Sequence, residues 1–425
     1  MKLQERRAAL GTTKLQSTEK RLTSWLDDLS VSQPVFAELL SESPATQAER
    51  GYFHTLREIC QQPDSWEQTA LEVSSRLEDL RESLAGCDSV VLTGSGSSEY
   101  AAACLHPLLQ ERLNIPAQSV GSGSILLHER SSLPPGPLCL VSLARSGNSP
   151  ESAGVLELML DIAPEVSHLI VTCNAKGQLA NLAAEDPRLQ LVVLDDSTND
   201  RSLVMTSSFT NMVVAGRALA YLDDPAGYQS SASALAGAAR NLLRDYAGEL
   251  RAIANGPFRK AVYLGSGCRH GAAREAALKL LEMLDGRLTS FAETCLGLRH
   301  GPMCAIDGTT LVVCFLSSDP LRRAYETDLL DELQRKGIGW RRVIVGRDIP
   351  AELLMEGDLG VELRGVDSLA DDDLALLDVL VCQLIGFFRC LGDGLKPDSP
   401  STSGVISRVV NDFTVHRRNH EGQGA

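Results

Sequence analysis

Short apolar runs bounded by turn residues alternate along this chain with longer stretches of helical periodicity. In the first half, Ser89–Thr93, Pro137–Leu143, His168–Thr172 and Gln190–Leu194 read as strands; in the second, Lys260–Leu264, Thr309–Phe315 and Arg342–Val345 read the same way. Helical segments lie between them, so the pattern predicts α/β units with parallel sheets covered on both faces. Long helices around Leu203–Leu222 and Ser231–Ala254 separate the two units, and the apolar helix Leu369–Cys390 closes the second. Residues 1 to about 85 read as helices and loops, with a polar and mobile stretch from Gly11 to Lys20. From Gly392 the chain is rich in Pro, Ser and Gly. Within it Gly404–Val410 is too apolar for plain disorder and is expected to dock on the body.

One phrase occurs twice. An apolar strand runs into Gly-Ser-Gly as Val90 to Gly96 and again as Ala261 to Gly267, each copy opening a helix, which signals an internal duplication. The expected units are therefore 1–85, a helical extension; 86–225, the first α/β domain; 226–392, the second; and 393–425, the tail.

The copies have diverged in their chemistry. In the first, Gly94-Ser95-Gly96-Ser97-Ser98 joins a strand to a helix, where free main-chain N–H groups and the helix dipole favour an anion. The next strand end repeats the device as Arg145-Ser146-Gly147-Asn148-Ser149, with Pro150 suited to a first helical turn. One such loop is ordinarily just a tight connection; two, at the ligand edge of one open sheet, make a phosphate cradle. A dinucleotide fingerprint fails at Glu99, which stands where the third glycine belongs, and no Gly-Lys-Ser/Thr follows either loop. In the second copy Leu316-Ser317-Ser318-Asp319-Pro320 lacks the serine-glycine core and adds a carboxylate, so phosphate should bind there poorly. Its helix instead carries Glu275, Lys279 and Glu282 at i, i+4 and i+7, one charged face opposite an apolar face of Ala273, Ala276, Ala277, Leu280 and Leu284. Alone that stripe reads as a solvated, salt-bridged face; beside the ligand edge it becomes an acid/base candidate. His300, in the turn-rich Leu298-Arg299-His300-Gly301-Pro302, is a second one.

Composition narrows the classes. A net charge of −15 over 425 residues argues against a nucleic-acid surface, and no run of 18 apolar residues or apolar leader predicts a membrane span or export, so a cytoplasmic enzyme is expected. The 11 cysteines form no C-x-x-C pair and the 8 histidines no ligand spacing, so neither disulfides nor a metal is expected.

These motifs, with Asp200-Arg201 through Met205-Thr206-Ser207-Ser208, the Arg-His-Gly-Pro turn and the tail stretch Pro400–Gly404 followed by Arg408-Val409-Val410, resemble sugar isomerase (SIS) domain proteins. More narrowly the chain is similar to the bacterial tagatose-6-phosphate ketose/aldose isomerase family, also described as galactosamine-6-phosphate deaminase/isomerases. The resemblance implies two tandem SIS domains, each a flavodoxin-like sheet, and deamination with isomerisation of galactosamine 6-phosphate, without cofactor. It further implies phosphate ligands at Ser97, Ser98, Arg145, Ser146, Gly147 and Ser149, and proton transfer by Glu282 with Lys279 and Glu275 in the same pocket. Ring opening falls to His300 from a neighbouring subunit, hence a homodimer with shared sites. A sugar pocket would draw on Gly96, Asn148, Thr206, Ser207 and Arg408. Against the related isomerase half of glucosamine-6-phosphate synthase, Arg145 replaces a glutamine, Ala144 a serine and Leu281 a lysine; within the closer family Ser202-Leu203 stands where Gly-Phe is expected. Glucosamine-6-phosphate deaminase and a non-catalytic sugar-phosphate sensor are the alternatives. An amidotransferase is disfavoured, because the segment before the first sheet is too short for a glutaminase domain.

Overall fold

The computed structural model describes residues 20–410 and 414–418. The Gly11–Lys20 stretch, apart from Lys20, falls outside the described residues. The first sheet consists of β1 (Ser89–Thr93), β2 (Ala117–Ser119), β3 (Leu138–Ala144), β4 (Ser167–Thr172) and β5 (Leu189–Val193), all parallel in the order β2-β1-β3-β4-β5. The second repeats that order: β6 (Lys260–Leu264), β7 (Thr289–Glu293), β8 (Thr310–Phe315), β9 (Arg341–Gly346) and β10 (Leu359–Glu362) run as β7-β6-β8-β9-β10. Both orders are the doubly wound 2-1-3-4-5 pattern, whose switch point lies between the first and third strands of each unit. The expected fold holds, and seven of its strands coincide with the apolar runs to within one or two residues. The unforeseen β2, β7 and β10 are edge strands of three to five residues.

Nine helices matter for the site. Near the N-terminus are α1 (Phe53–Cys60) and α2 (Gln62–Ser74); α3 (Ser97–Leu113) and α4 (Pro150–Ile162) leave the ends of β1 and β3. Then come α5 (Ser207–Arg217) and α6 (Pro225–Ala254), followed by α7 (Cys268–Met283) after β6, α8 (Pro320–Lys336) after β8, and α9 (Ala375–Gly392). Where one helix was expected over 203–222, the chain makes α5 and a 3-10 turn, Ala218–Tyr221.

One continuous core spans both sheets. It joins Val90 and Leu92 of β1 to Ala261 and Tyr263 of β6 through α3, α6, α7 and α9. The N-terminal helices belong to this core: Phe36, Tyr52 and Trp66 are fully buried, and the Trp66 indole donates to Thr210 Oγ1 at 2.9 Å. The span Asp371–Gly392 is apolar enough for a membrane helix, with a hydropathy of 2.0, but 89% of its apolar 18-residue window is buried inside the protein.

The tail docks, though not through the apolar side chains that suggested it. Asp398 accepts hydrogen bonds from His54 N, Thr55 N and Thr55 Oγ1 at the start of α1, at 2.7–3.1 Å, and Thr402 Oγ1 donates to Asp285 at 2.6 Å. Arg408 Nη2 donates to Asn199 Oδ1 at 2.7 Å, and Arg417 pairs with Glu157 at 2.7 Å. The apolar Val405 is meanwhile 84% exposed. Polar and charged groups carry the attachment.

Candidate functional site

The two glycine loops share one geometry. Gly96 and Gly267 both have φ near +57°, a left-handed conformation that a side chain resists, and each turns its strand sharply into α3 or α7. Beyond the turn the two repeats part ways.

In the first repeat the helix starts are open. Neither Gly96 at α3 nor Ser149 at α4 supplies a side-chain cap, and the buried Ser95 Oγ has no hydrogen-bond partner among the described residues. Ser97 and Ser98 are buried in the first turn of α3. The facing loop is braced from behind: Asn174 Nδ2 donates to Ser146 O at 2.8 Å, Asn148 Oδ1 accepts from Gln178 N at 2.9 Å, and Ser146 Oγ accepts from Asn148 N at 3.2 Å. Gly147 sits between them at φ +63°. Unpaired N–H groups and hydroxyls at two helix starts suit a dianion.

In the second repeat the same positions are closed by carboxylates. Asp372 Oδ1 accepts from Cys268 N at 3.1 Å at the start of α7, and Asp319 caps α8 through Arg322 N at 2.9 Å. Ser266, the counterpart of Ser95, donates to Glu326 Oε1 at 3.1 Å, and Ser317 N donates to Glu326 Oε2 at 2.6 Å. Ser318 gives both N–H and hydroxyl to Asp371 Oδ1. Arg269 stands where Ser98 stands in the first copy and is bound by Asp378 through two 2.7 Å hydrogen bonds.

Helix α7 lies directly against α3. A Cβ on Gly271 would come within 2.6 Å of Cys104 N and 2.7 Å of Ala103 C, so only glycine permits this approach. The crossing packs the anion-loop helix of one repeat against the charged face of the other; Ser97 lies near enough to pull the Glu275 pKa down, while both buried Glu275 carboxyl oxygens have no hydrogen-bond partner among the described residues. Glu275 and Lys279 are 0% and 1% exposed, whereas the Glu282 side chain is 23% exposed and so reachable. Lys279 Nζ lies 3.5 Å from Glu275 Oε1 and donates to Glu282 Oε2. Burial pushes Glu275 up to about 8, against the pull of Lys279 and with the help of Glu282. Burial opposes charge on Lys279 as well, but its two carboxylate neighbours outweigh that and raise its pKa. The arrangement presents one accessible carboxylate backed by a buried ammonium and a carboxyl that is largely protonated at neutral pH.

Other sequence candidates have different surroundings. The buried Arg145 guanidinium donates to Leu203 O at 2.9 Å and Arg408 O at 2.6 Å, so it ties the tail to the loop before α5. Burial lowers its pKa, Asp200 and Glu282 pull the other way, and Arg408 repels it. Arg408 donates to Asp200 O at 2.8 Å. Thr206 and Ser207 are fully buried and donate to the Asp200 carboxylate, with Thr206 N at 2.7 Å and Ser207 Oγ at 2.6 Å. The Asp200 carboxylate thereby caps the start of α5, accepting from Thr206 N, Ser207 N and Ser208 N. An Asp ahead of a Thr-Ser-Ser run is itself a helix-start signal. His300 ends the 3-10 turn Gly297–His300 and is exposed; among the described residues no hydrogen bond or ion pair joins it to Glu282. Sequence reasoning did not single out Ser95 or Asp200. A cavity of about 890 Å³ between the N-terminal helices and residues 196–201 is lined by none of these candidates.

No protein-family model matches the chain. It is 36% identical over 374 residues to a provisionally named D-galactosamine-6-phosphate deaminase AgaS of Streptomyces coelicolor, covering 86% of this chain and 96% of that one. With the D-galactosamine-6-phosphate deaminase AgaS of a Shewanella species the identity is 33% over 390 residues, 89% and 95% of the two chains. Among solved structures, the tagatose-6-phosphate ketose/aldose isomerase of Escherichia coli superposes with a TM-score of 0.77 at 30% identity, covering 85% of this chain and 96% of that one.

Proposed function

Because the chain belongs to the D-galactosamine-6-phosphate deaminase family of SIS-fold enzymes, we propose that it converts galactosamine 6-phosphate and water into tagatose 6-phosphate and ammonia in the cytoplasm. One observation carries the chemistry: the open helix starts of the first repeat meet the face of Glu275, Lys279 and Glu282 on the second.

The substrate phosphate takes the N–H groups and hydroxyls of Ser97, Ser98, Ser146, Gly147 and Ser149. Ring opening exposes the C1 aldehyde, which acidifies the proton on C2. Glu282 removes that proton and leaves an enolamine; returning it to C1 gives a ketose with an imine at C2. Water adds to the C=N bond, ammonia leaves, and the C2 carbonyl remains, so the reaction is hydrolytic as well as isomerising. Lys279 holds Glu282 in place through their ion pair. Neutral Glu275 keeps the buried cluster from carrying two negative charges.

His300 opens the ring from the partner copy of a homodimer. Its exposure in the single chain supports this, as do apolar surfaces close to it in sequence and beside the site: Leu296 is 49% exposed and Leu281, next to Glu282, 41%. The test supplies galactosamine 6-phosphate, glucosamine 6-phosphate and tagatose 6-phosphate separately and follows ammonia and ketose. Equimolar ammonia and tagatose 6-phosphate from the galacto substrate are expected. Turnover of the gluco epimer alone overturns the substrate; binding of sugar phosphate without turnover overturns the enzyme reading in favour of a sensor.

A further inference from the structure

Three carboxylates at the ligand edge of the second sheet, one buried and two largely covered, have no part in the chemistry above. The Glu326, Asp371 and Asp372 side chains are all at most one-tenth exposed. Between them they accept from Ser266 Oγ, Cys268 N, Ser317 N and Ser318 N and Oγ, donors on the two loops whose first-repeat counterparts hold substrate phosphate in the reading above. Cations surround them as they would a bound anion. Arg269 Nη1 lies 3.7 Å from Asp371, Arg322 Nη1 lies 3.7 Å from Asp372, and Arg347 donates to Ser318 Oγ. Although burial opposes it, the Arg269 charge and the serine donors hold Asp371 below the usual carboxylate range. At the place of Glu326, six residues after the helix-starting proline, the first repeat carries Leu156.

We propose that the turn Asp371–Leu374 is a built-in anion, taking in the second repeat the place that substrate phosphate takes in the first, and that it thereby fixes the start of the helix bearing Glu282. Asp372 is a positioning residue. It holds the first N–H of α7, so closely that a Cβ on Gly267 would lie 2.6 Å from its Oδ1. The turn continues straight into α9, whose Asp378 grips Arg269 on the first turn of α7 and whose Gly386 lies against Met283 at the far end, where a Cβ would meet Sδ at 2.8 Å. One segment thus clamps α7 at both ends, and its register sets where Glu275, Lys279 and Glu282 stand. The duplicated phosphate device has become a fixed support for the catalytic helix.

The test removes the internal anion and supplies an external one. In Asp371→Ala/Asp372→Ala, Arg269, Arg322, Arg347 and the freed N–H groups form a site for inorganic phosphate. Phosphate should therefore raise the melting temperature of the variant by several degrees more than that of the wild type. The variant's kcat should fall roughly 10-fold or more with KM little changed, and part of the loss should return with phosphate. Asp372→Asn, which keeps the Oδ1 acceptor, should show a smaller fall. A double variant that folds only with phosphate present supports the proposal equally. Equal phosphate responses in wild type and variant overturn the built-in anion, as does a double variant unfolded at every phosphate concentration. An unchanged kcat in a variant that has gained phosphate binding overturns the positioning role. The kinetic readout rests on the proposed reaction, whereas the thermal readout needs no turnover, so failure of one is distinguishable from failure of the other.

Discussion

Replacing Glu275 by Gln exchanges a buried carboxyl for a neutral group of the same shape, and its effect on stability should depend on pH in a calculable way. Burial lifts this carboxyl from its ordinary 4.5 to about 8 in the folded chain. Between those values the folded chain holds a proton that the unfolded chain has released. The stability contributed by this group is fully present below pH 4.5 and is lost as pH rises toward 8, at about 1.4 kcal/mol per pH unit. From pH 5.5 to 7.5 the wild type should lose roughly 2–3 kcal/mol through this group alone, while Glu275→Gln loses none of it. Glu58, also raised to about 8, and Asp378, raised to about 6, are present in both proteins and cancel in the difference. Lys279 is raised above its ordinary 10.5, so its titration lies outside the window. Urea unfolding of both proteins at pH 5.5, 6.5 and 7.5 measures the effect. The stability difference should move toward the variant by roughly 2–3 kcal/mol across the window. Parallel pH profiles would show that Glu275 is ionised in the fold and refute the reasoning.

Two further outcomes arise from the junction of the repeats. Gly271→Ala forces a Cβ against the main chain of Ala103 and Cys104, which cannot rotate aside, so it should cost about 2–3 kcal/mol in unfolding experiments. It should also lower kcat roughly 10-fold as Glu275 shifts from Ser97; wild-type stability would mean the helices are not so closely packed. Glu282→Gln and His300→Ala should each be inactive alone, yet recover about a quarter of wild-type activity when mixed and reassembled, because half the dimers are mixed and each holds one intact site. No recovery would place both residues in the same chain's site.

Much of this architecture was legible in the sequence because buried central strands are nearly all apolar. Val-Val-Leu in β1 and Leu-Val-Val in β8 need no context. The missed strands read Ala-Gln-Ser, Thr-Ser-Phe-Ala-Glu and Leu-Gly-Val-Glu: edge strands, half exposed, without an apolar run to mark them. The charged face of α7 was legible from spacing, but its burial was not, because burial comes from α3 crossing at Gly271. The Arg145 side chain is the clearest illustration. In sequence it sits in a phosphate loop; in the fold its partners are Leu203 O and Arg408 O, 58 and 263 residues away. Local spacing cannot reveal such partners, nor that Asp371 and Asp372 return to close the second loop.

The central claim is that the first repeat holds phosphate while Glu282 on the second moves the proton from C2. The most direct measurement supplies galactosamine 6-phosphate deuterated at C2 to wild type and Glu282→Gln and compares rates and the label in the ketose. The account predicts slowed turnover in the wild type with deuterium appearing at C1. For Glu282→Gln it predicts substrate binding within a few-fold of wild type and a fall in turnover of about 10³-fold. Wild-type turnover by Glu282→Gln, or a wild-type rate indifferent to deuterium at C2, would contradict it.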